Sequence, residues 1–356
     1  MTQLSLLLLS CAIAARTTDS LSCLNEKGMP VAWYAILKAH GGLDYSYVDA
    51  SYTGQGPLQL TGLSLDCGTK CALGATLSQI IGNTSVARIS WNDELPVAAT
   101  TNSTIPQVGS GESGHTKGVI GADANGGFWL THSMPKFPTL VGVDSYNWLT
   151  STTYGQSFLC VSVDAETIEI VATNIAFIDP HIYGSIVPAG LTSTYPLLTA
   201  LVAGSRSAGT TTATILSTDS TPFEFFGKSG SWGKDIWEDL VQATLGVDMF
   251  VETWRRSPQM LTYCRPDYPF DSINVATLQF IDATGAPFLY KYTQDHTKMA
   301  IAVNATAQQN YLCIGDMNRM TSQWIRGGSA TCFRHSAIFD SVSAMILTVD
   351  GCASAL

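Results

Sequence analysis

One tripeptide occurs twice in this chain, once in each half: His115-Thr116-Lys117 and His296-Thr297-Lys298. The surroundings repeat as well, so the chain reads as an internal duplication. In the first half a helical apolar pattern over Ala72–Ile81 (Leu73, Leu77, Ile80, Ile81) stops at Gly82-Asn83. A strand follows over Val86–Trp91, then His115–Ile120, a turn over Asp123–Gly127, and a strand Phe128–His132. In the second half a helix is expected over Lys234–Leu245 (Ile236, Leu240, Val241, Leu245), stopped by Gly246. Then come a strand over Met249–Trp254, the run His296–Val303, a polar loop Asn304–Asn310 and a strand Tyr311–Ile314. Each half thus predicts helix, strand, then a hairpin whose first strand begins with His-Thr-Lys. Ala203–Thr212 reads as the junction, and Tyr34–Leu37 and Ala213–Leu216 as matching opening strands.

In an extended strand residues i and i+2 share a face. Each copy is therefore expected to present an imidazole beside an ammonium. Two facing copies make a phosphodiester site that needs no metal. One histidine attacks phosphorus, the other protonates the leaving oxygen, and Lys117 and Lys298 neutralise the phosphate. The far strands return His132-Ser133 and Asp316-Met317-Asn318 near the same place, so His132 and Asn318 are candidates for further substrate contacts. Asp295 falls on the opposite strand face and reads as structural. His40, His181 and His335 lack a partner pattern. Trp91, Trp129, Trp254 and Trp324 suit core packing more often than base stacking. No serine-hydrolase elbow or zinc-protease helix motif is present.

Charged residues make up only 13% of the 356 residues and hydrophobic ones 46%, which excludes extended disorder. The formal net charge of −10 argues against a broad basic nucleic-acid face at neutral pH. Protonating all six histidines brings it to −4, so acid favours binding an anion. The apolar run Leu4–Ala15 reads as a secretory signal, residues 1–15, and no later segment reads as membrane-spanning. Removing it leaves eight cysteines: Cys23, Cys67, Cys71, Cys160, Cys264, Cys313, Cys332 and Cys352. An even count fits disulfides, with Cys67 and Cys71 a local pair rather than half a zinc site. Sequons at Asn83, Asn102 and Asn304 agree with export.

Several stretches carry a family resemblance: Gly114–Gly118, Gly126–Leu130 with His132-Ser133, Thr153–Gln156 with Leu159–Ser162, Asp295–Lys298 and Gly315–Arg319. Through these, and over most of the mature chain, the protein resembles the deoxyribonuclease II family. The resemblance implies an α/β fold, a pseudo-dimer of two phospholipase D-like halves, each a central mixed sheet flanked by helices. The halves are expected over residues 16–205 and 206–356. It implies metal-independent and cofactor-free DNA cleavage, best in acid and with little sequence preference, leaving 3′-phosphate and 5′-hydroxyl ends. His115 and His296 become the catalytic pair, with His115 preferred as nucleophile and His296 as acid. The disulfides it implies are Cys23–Cys160, Cys264–Cys352 and Cys313–Cys332. A lysosomal or secreted monomer or homodimer follows. The wider phospholipase D pattern has an Asp five residues after the Lys. Ala122 and Val303 stand there, which disfavours a lipase. A catalytically weak paralogue that binds DNA or a host protein is the alternative. A phosphodiesterase for lipid or short oligonucleotide ends is a third reading.

Overall fold

The computed structural model describes residues 20–96, 113–138, 140, 152–303 and 305–352. A two-stranded ribbon, β1 (Cys23–Leu24) and β2 (Pro30–Val31), leads into the first sheet. That sheet holds β3 (Trp33–Lys38), β4 (Tyr45–Asp49), β5 (Ala87–Trp91), β6 (Gly118–Asp123), β7 (Gly126–His132), β8 (Gln156–Asp164) and β9 (Ile182–Ile186). Their order is β4-β3-β8-β7-β6-β5-β9, antiparallel throughout. The second sheet holds β10 (Thr210–Leu216), β11 (Pro222–Lys228), β12 (Met249–Glu252), β13 (Ser272–Ile281), β14 (Pro287–Lys291), β15 (Met299–Ala302), β16 (Tyr311–Gly315), β17 (Gly328–Arg334) and β18 (Ile346–Val349). Its order is β10-β11-β17-β16-β15-β12-β13-β14, with β18 also on β13, and β12 runs parallel to β13.

The first six strand positions of the two sheets correspond. This corrects one expected match: the counterpart of β3 is β11, and β10 is an edge strand corresponding to β4. Edge and inner strands can carry similar apolar runs, so composition does not separate them.

The inner faces of the sheets share one core. Trp33 packs against Phe223 and Phe333, with ring centroids 5.7 and 5.1 Å away, and Trp129 lies 5.7 Å from Phe225. Such aromatic contacts add roughly 0.5–1.5 kcal/mol beyond the area they bury. The helices Ala165–Ile175 and Ser336–Met345 fill the same core. The first starts where Asp164 accepts a hydrogen bond from Thr167 N at 2.8 Å and buries Ile168, Val171, Ala172 and Ile175 at helical spacing. The outer face of the first sheet is covered by the helix Ala72–Ser78, and that of the second by Trp237, Leu240 and Val241. With both faces covered, β3, β5 and β7 are buried at every residue.

The helix expected over Lys234–Leu245 is present and continuous, π-wound over Trp237–Gln242 and continued by one α turn Ala243–Leu245, and Gly246 at φ 68° ends it. Between β12 and β15 the structure adds β13 and β14, two strands that the sequence reading did not anticipate.

Four disulfides join Cys23 to Cys160, Cys67 to Cys71, Cys264 to Cys352, and Cys313 to Cys332. Cys264–Cys352 closes a span of 88 residues and ties down the end of the described chain. Cys264→Ser is expected to cost about 2–4 kcal/mol and to lower the melting temperature by several degrees. An unchanged melting curve with normal yield of folded protein would refute this. Asn83 is partly exposed, while Asn102, Asn304 and residues 1–15 lie outside the described residues. No helix among the described residues is long and apolar enough to cross a membrane.

Candidate active site

Both His-Thr-Lys copies lie in the segments just ahead of β6 and β15, not inside strands as the i, i+2 argument supposed. What aligns each His with its Lys is local folding back. Lys117 Nζ donates to His115 O at 3.3 Å, and Lys298 Nζ to His296 O at 3.0 Å, with Lys298 at φ +50°. Each copy is also held by the other half of the chain. His115 N donates to Gly327 O at 2.8 Å, and His296 N to Gly155 O at 2.9 Å. Gly155 is needed there, because a Cβ would lie 2.4 Å from Asp295 Oδ1.

The two copies meet at one cleft of about 610 Å³, lined by His115, Lys117, His296 and Lys298 together with Asp93, Tyr154, Trp254, Arg256, Asn318 and Arg326. Every one of these comes from a strand end or the loop beyond it, as befits side chains aimed by a rigid scaffold.

The His115 ring is oriented by Asp316, whose backbone carbonyl lies 2.5 Å from Nδ1. A carbonyl only accepts, so Nδ1 carries the proton and Nε2 keeps its lone pair. That nitrogen lies 3.8 Å from Asp93 Oδ2. Burial, then the Lys117 charge, holds the His115 pKa well below its ordinary value, so the ring stays neutral even in acid. Asp93 also meets Lys117 Nζ at 2.5 Å and Arg326 at 3.0 Å. Burial raises the Asp93 pKa, but Lys117, His115 and Arg326 outweigh it and keep the carboxylate ionised.

His296 is stacked on Tyr154 at 4.1 Å and against Trp254 at 4.7 Å. Its Nε2 has no protein partner. Burial, followed by Lys298, His115 and Lys117, lowers its pKa to about 2. Lys298 is brought down to about 7 by burial and then by Lys117. Behind the cleft the carboxyl of Asp295 accepts from Thr297 N and Oγ1, both at 3.0 Å, and that of Asp316 accepts from Ser329 N at 2.7 Å and Oγ at 2.8 Å. Burial raises both carboxyls to about 6. The cleft is thus a cluster of cations and neutral imidazoles that gains positive charge as pH falls, a pattern suited to an anion. Among the described residues no group of three or more His, Cys, Asp or Glu is placed to hold a metal ion.

Asn318 lines the cleft, whereas His132 does not. His132 is 1% exposed and packed between Phe137 and Phe158, at 4.3 and 5.6 Å. This corrects the expectation of a substrate contact there: β7 carries the residue past the cleft into the outer core. His335 caps the helix Ser336–Met345, and His40 packs on Phe288 and Tyr290. Trp91 and Trp129 are core, while Trp254 reaches the cleft. Asp93, Arg326 and Tyr154 were not singled out from the sequence. Tyr154 lies in the Thr153–Gln156 stretch that carries the resemblance, but nothing there gave it a role; Tyr154 and Arg326 reach the histidine of the opposite half, and Asp93 that of its own.

Two matched half-sites on two corresponding sheets, sharing one cationic cleft, define a hydrolase of the phospholipase D-like class. The deoxyribonuclease II family profile matches residues 22–352. Similar proteins include "Deoxyribonuclease-2" of Caenorhabditis elegans, 30% identical over 95% of this chain and 96% of that one. "Putative deoxyribonuclease-2" of Burkholderia pseudomallei is 36% identical over 79% and 77%, and "Deoxyribonuclease-2-alpha" of Sus scrofa 28% identical over 99% and 96%. The chain belongs to the deoxyribonuclease II family and is a nuclease of that type.

Proposed function

We propose that this nuclease is an acid, metal-independent endonuclease that cuts DNA with little sequence preference by a two-histidine route. The observation that carries the reading is the fixed His115 tautomer, which leaves a neutral Nε2 beside Lys117 and across the cleft from His296. In the first step His115 Nε2 forms a bond to phosphorus while the bond to the 5′ oxygen breaks. His296, protonated in the complex, gives its proton to that oxygen, producing a 5′-hydroxyl. In the second step water attacks phosphorus and passes its proton to His296. The nitrogen–phosphorus bond breaks, leaving a 3′-phosphate and restoring both histidines. Lys117 and Lys298 stabilise the charge on the phosphoryl oxygens. The bound phosphate raises the His296 pKa from its depressed value in the free protein. Asn318 is a candidate further contact to the phosphate.

The same reading assigns residues 1–15 to an export signal, places the protein in lysosomes or outside the cell, makes Asn83, Asn102 and Asn304 glycosylation sites, and divides the chain between residues 205 and 206. The deciding assay is nicking of supercoiled plasmid with EDTA at about pH 5 and about pH 7.5. Faster cleavage in acid, insensitive to EDTA, supports the reading. A folded sample that binds DNA without cutting it at either pH overturns it in favour of a binding paralogue.

Asp93→Asn gives a further expected result. Removing this carboxylate frees Lys117 and Arg326 of their anchor while making the cleft more positive. KM for DNA should fall, and kcat should fall by about 10–100-fold. Unchanged kcat would place Asp93 outside the chemistry.

A further inference from the structure

β3 and β11 occupy corresponding places in the two sheets, and both end in a fully buried lysine, Lys38 and Lys228. Neither forms an ion pair among the described residues. Each spends its three N–H groups on backbone carbonyls instead. Lys38 Nζ donates to Ala39 O and Gly42 O at 2.8 Å each and to Thr152 O at 3.4 Å. Lys228 Nζ donates to Gln323 O at 3.2 Å, Trp324 O at 2.9 Å and Arg326 O at 2.5 Å. A buried ammonium without a carboxylate is costly to keep, and an apolar side chain of like shape would avoid that cost. A hydrophobic residue cannot supply three such donors. Lys228 spends all three on one loop, whereas Lys38 holds the Ala39–Gly42 turn with two and reaches Thr152 with the third, and Gly41 N and Gly42 N of that turn donate to Thr153 O at 3.2 Å and Thr152 O at 3.0 Å.

The loops braced, directly by Lys228 and largely through the Ala39–Gly42 turn by Lys38, are also equivalent. Lys38 lies opposite Gln156, the first residue of β8, and Lys228 opposite Gly328, the first residue of β17. The carbonyls just before those strands, Gly155 O and Gly327 O, receive the backbone N–H of His296 and His115 respectively. The first clamped loop also carries Tyr154, stacked on His296, and the second carries Arg326, paired with Asp93 beside His115. Each lysine therefore sits in one half and braces a loop that grips the histidine of the other half.

We infer that Lys38 and Lys228 are crossed positioning residues: Lys38 sets the His296 ring and Lys228 the His115 ring, through the loops at Thr152–Gly155 and Gln323–Gly327. The inference rests on the proposed division of labour between the histidines only for its kinetic signature, not for its geometry. Neither lysine lines the cleft.

The test compares DNA with thymidine 3′-(p-nitrophenyl phosphate), whose leaving group departs without a proton. Lys38→Met should behave as a weak copy of His296→Ala, losing about tenfold or more on DNA but far less on the activated ester. Lys228→Met should copy His115→Ala, losing about equally on both. Equal losses for the two lysine variants, or a pattern in which each copies the histidine of its own half, overturns the inference. If His296→Ala itself is not rescued by the activated ester, the assignment of His296 as acid fails, and the inference is then judged by ring resonances alone. In histidine ring NMR spectra, Lys38→Met should move the His296 signals and spare those of His115, and Lys228→Met the reverse. Wild-type ring signals in both variants refute the bracing role. Should either methionine variant not fold, Lys38→Gln and Lys228→Gln, which keep N–H donors on a shorter stem, carry the same comparison.

Discussion

His115→Ala should lower DNA cleavage by about a thousandfold or more while leaving the fold intact. The ring supplies the attacking lone pair, and its tautomer is fixed by Asp316 O, whereas His296, stacked between Tyr154 and Trp254, is assigned the proton transfer in the proposed route. The structural loss is small by comparison. The side chain makes one hydrogen bond, to Asp316 O, and is 15% exposed, so about 1 kcal/mol of stability is at stake. Plasmid nicking and a thermal melt on one preparation read both quantities. Near-normal turnover in a folded variant would end the two-histidine mechanism.

The second large effect is on pH. Between about pH 5 and about pH 8 the rate on DNA should fall by roughly a hundredfold. The sign follows from the groups around the cleft. Lys298, brought down to about 7, is charged below that pH and loses its proton above it. Asp295 and Asp316, raised to about 6, are neutral below that pH and become anions above it. Acidification thus adds a positive charge in the cleft and removes two negative ones behind it. His296 needs its proton in the complex, and acid supplies it. His115, held neutral by burial and Lys117, remains a nucleophile over the whole range. Two measurements check this: kcat and kcat/KM across pH, and DNA binding by a His115→Ala variant that cannot cut. Binding and turnover that are flat with pH would remove the electrostatic account.

Some of this was open to reading in the chain itself. The duplicated His-Thr-Lys named the four groups that line the cleft, because short motifs at strand boundaries survive without knowledge of the fold. Hairpin signals located β6, β7, β15 and β16 to within a few residues, since Gly126 and its neighbours permit few other conformations. The match between β3 and β10 failed because apolar strand patterns do not record whether a strand is inner or edge. His132 misled for a related reason: strand alternation gives two faces but not which one meets the cleft.

The sequence by itself determined the chemistry available here. It specified two imidazoles, two ammonium groups, eight cysteines to pair, and a duplicated order of elements that can be matched half to half. Only the tertiary structure decided how those groups act. The tautomer of His115 depends on a carbonyl at Asp316, and the environment of His296 on Tyr154 and Trp254. The charge of Lys298 depends on burial, and the grip on each histidine on a glycine carbonyl from the opposite half. These are contacts between residues far apart in the chain, set by how two sheets pack, and no local pattern encodes a distance across that interface.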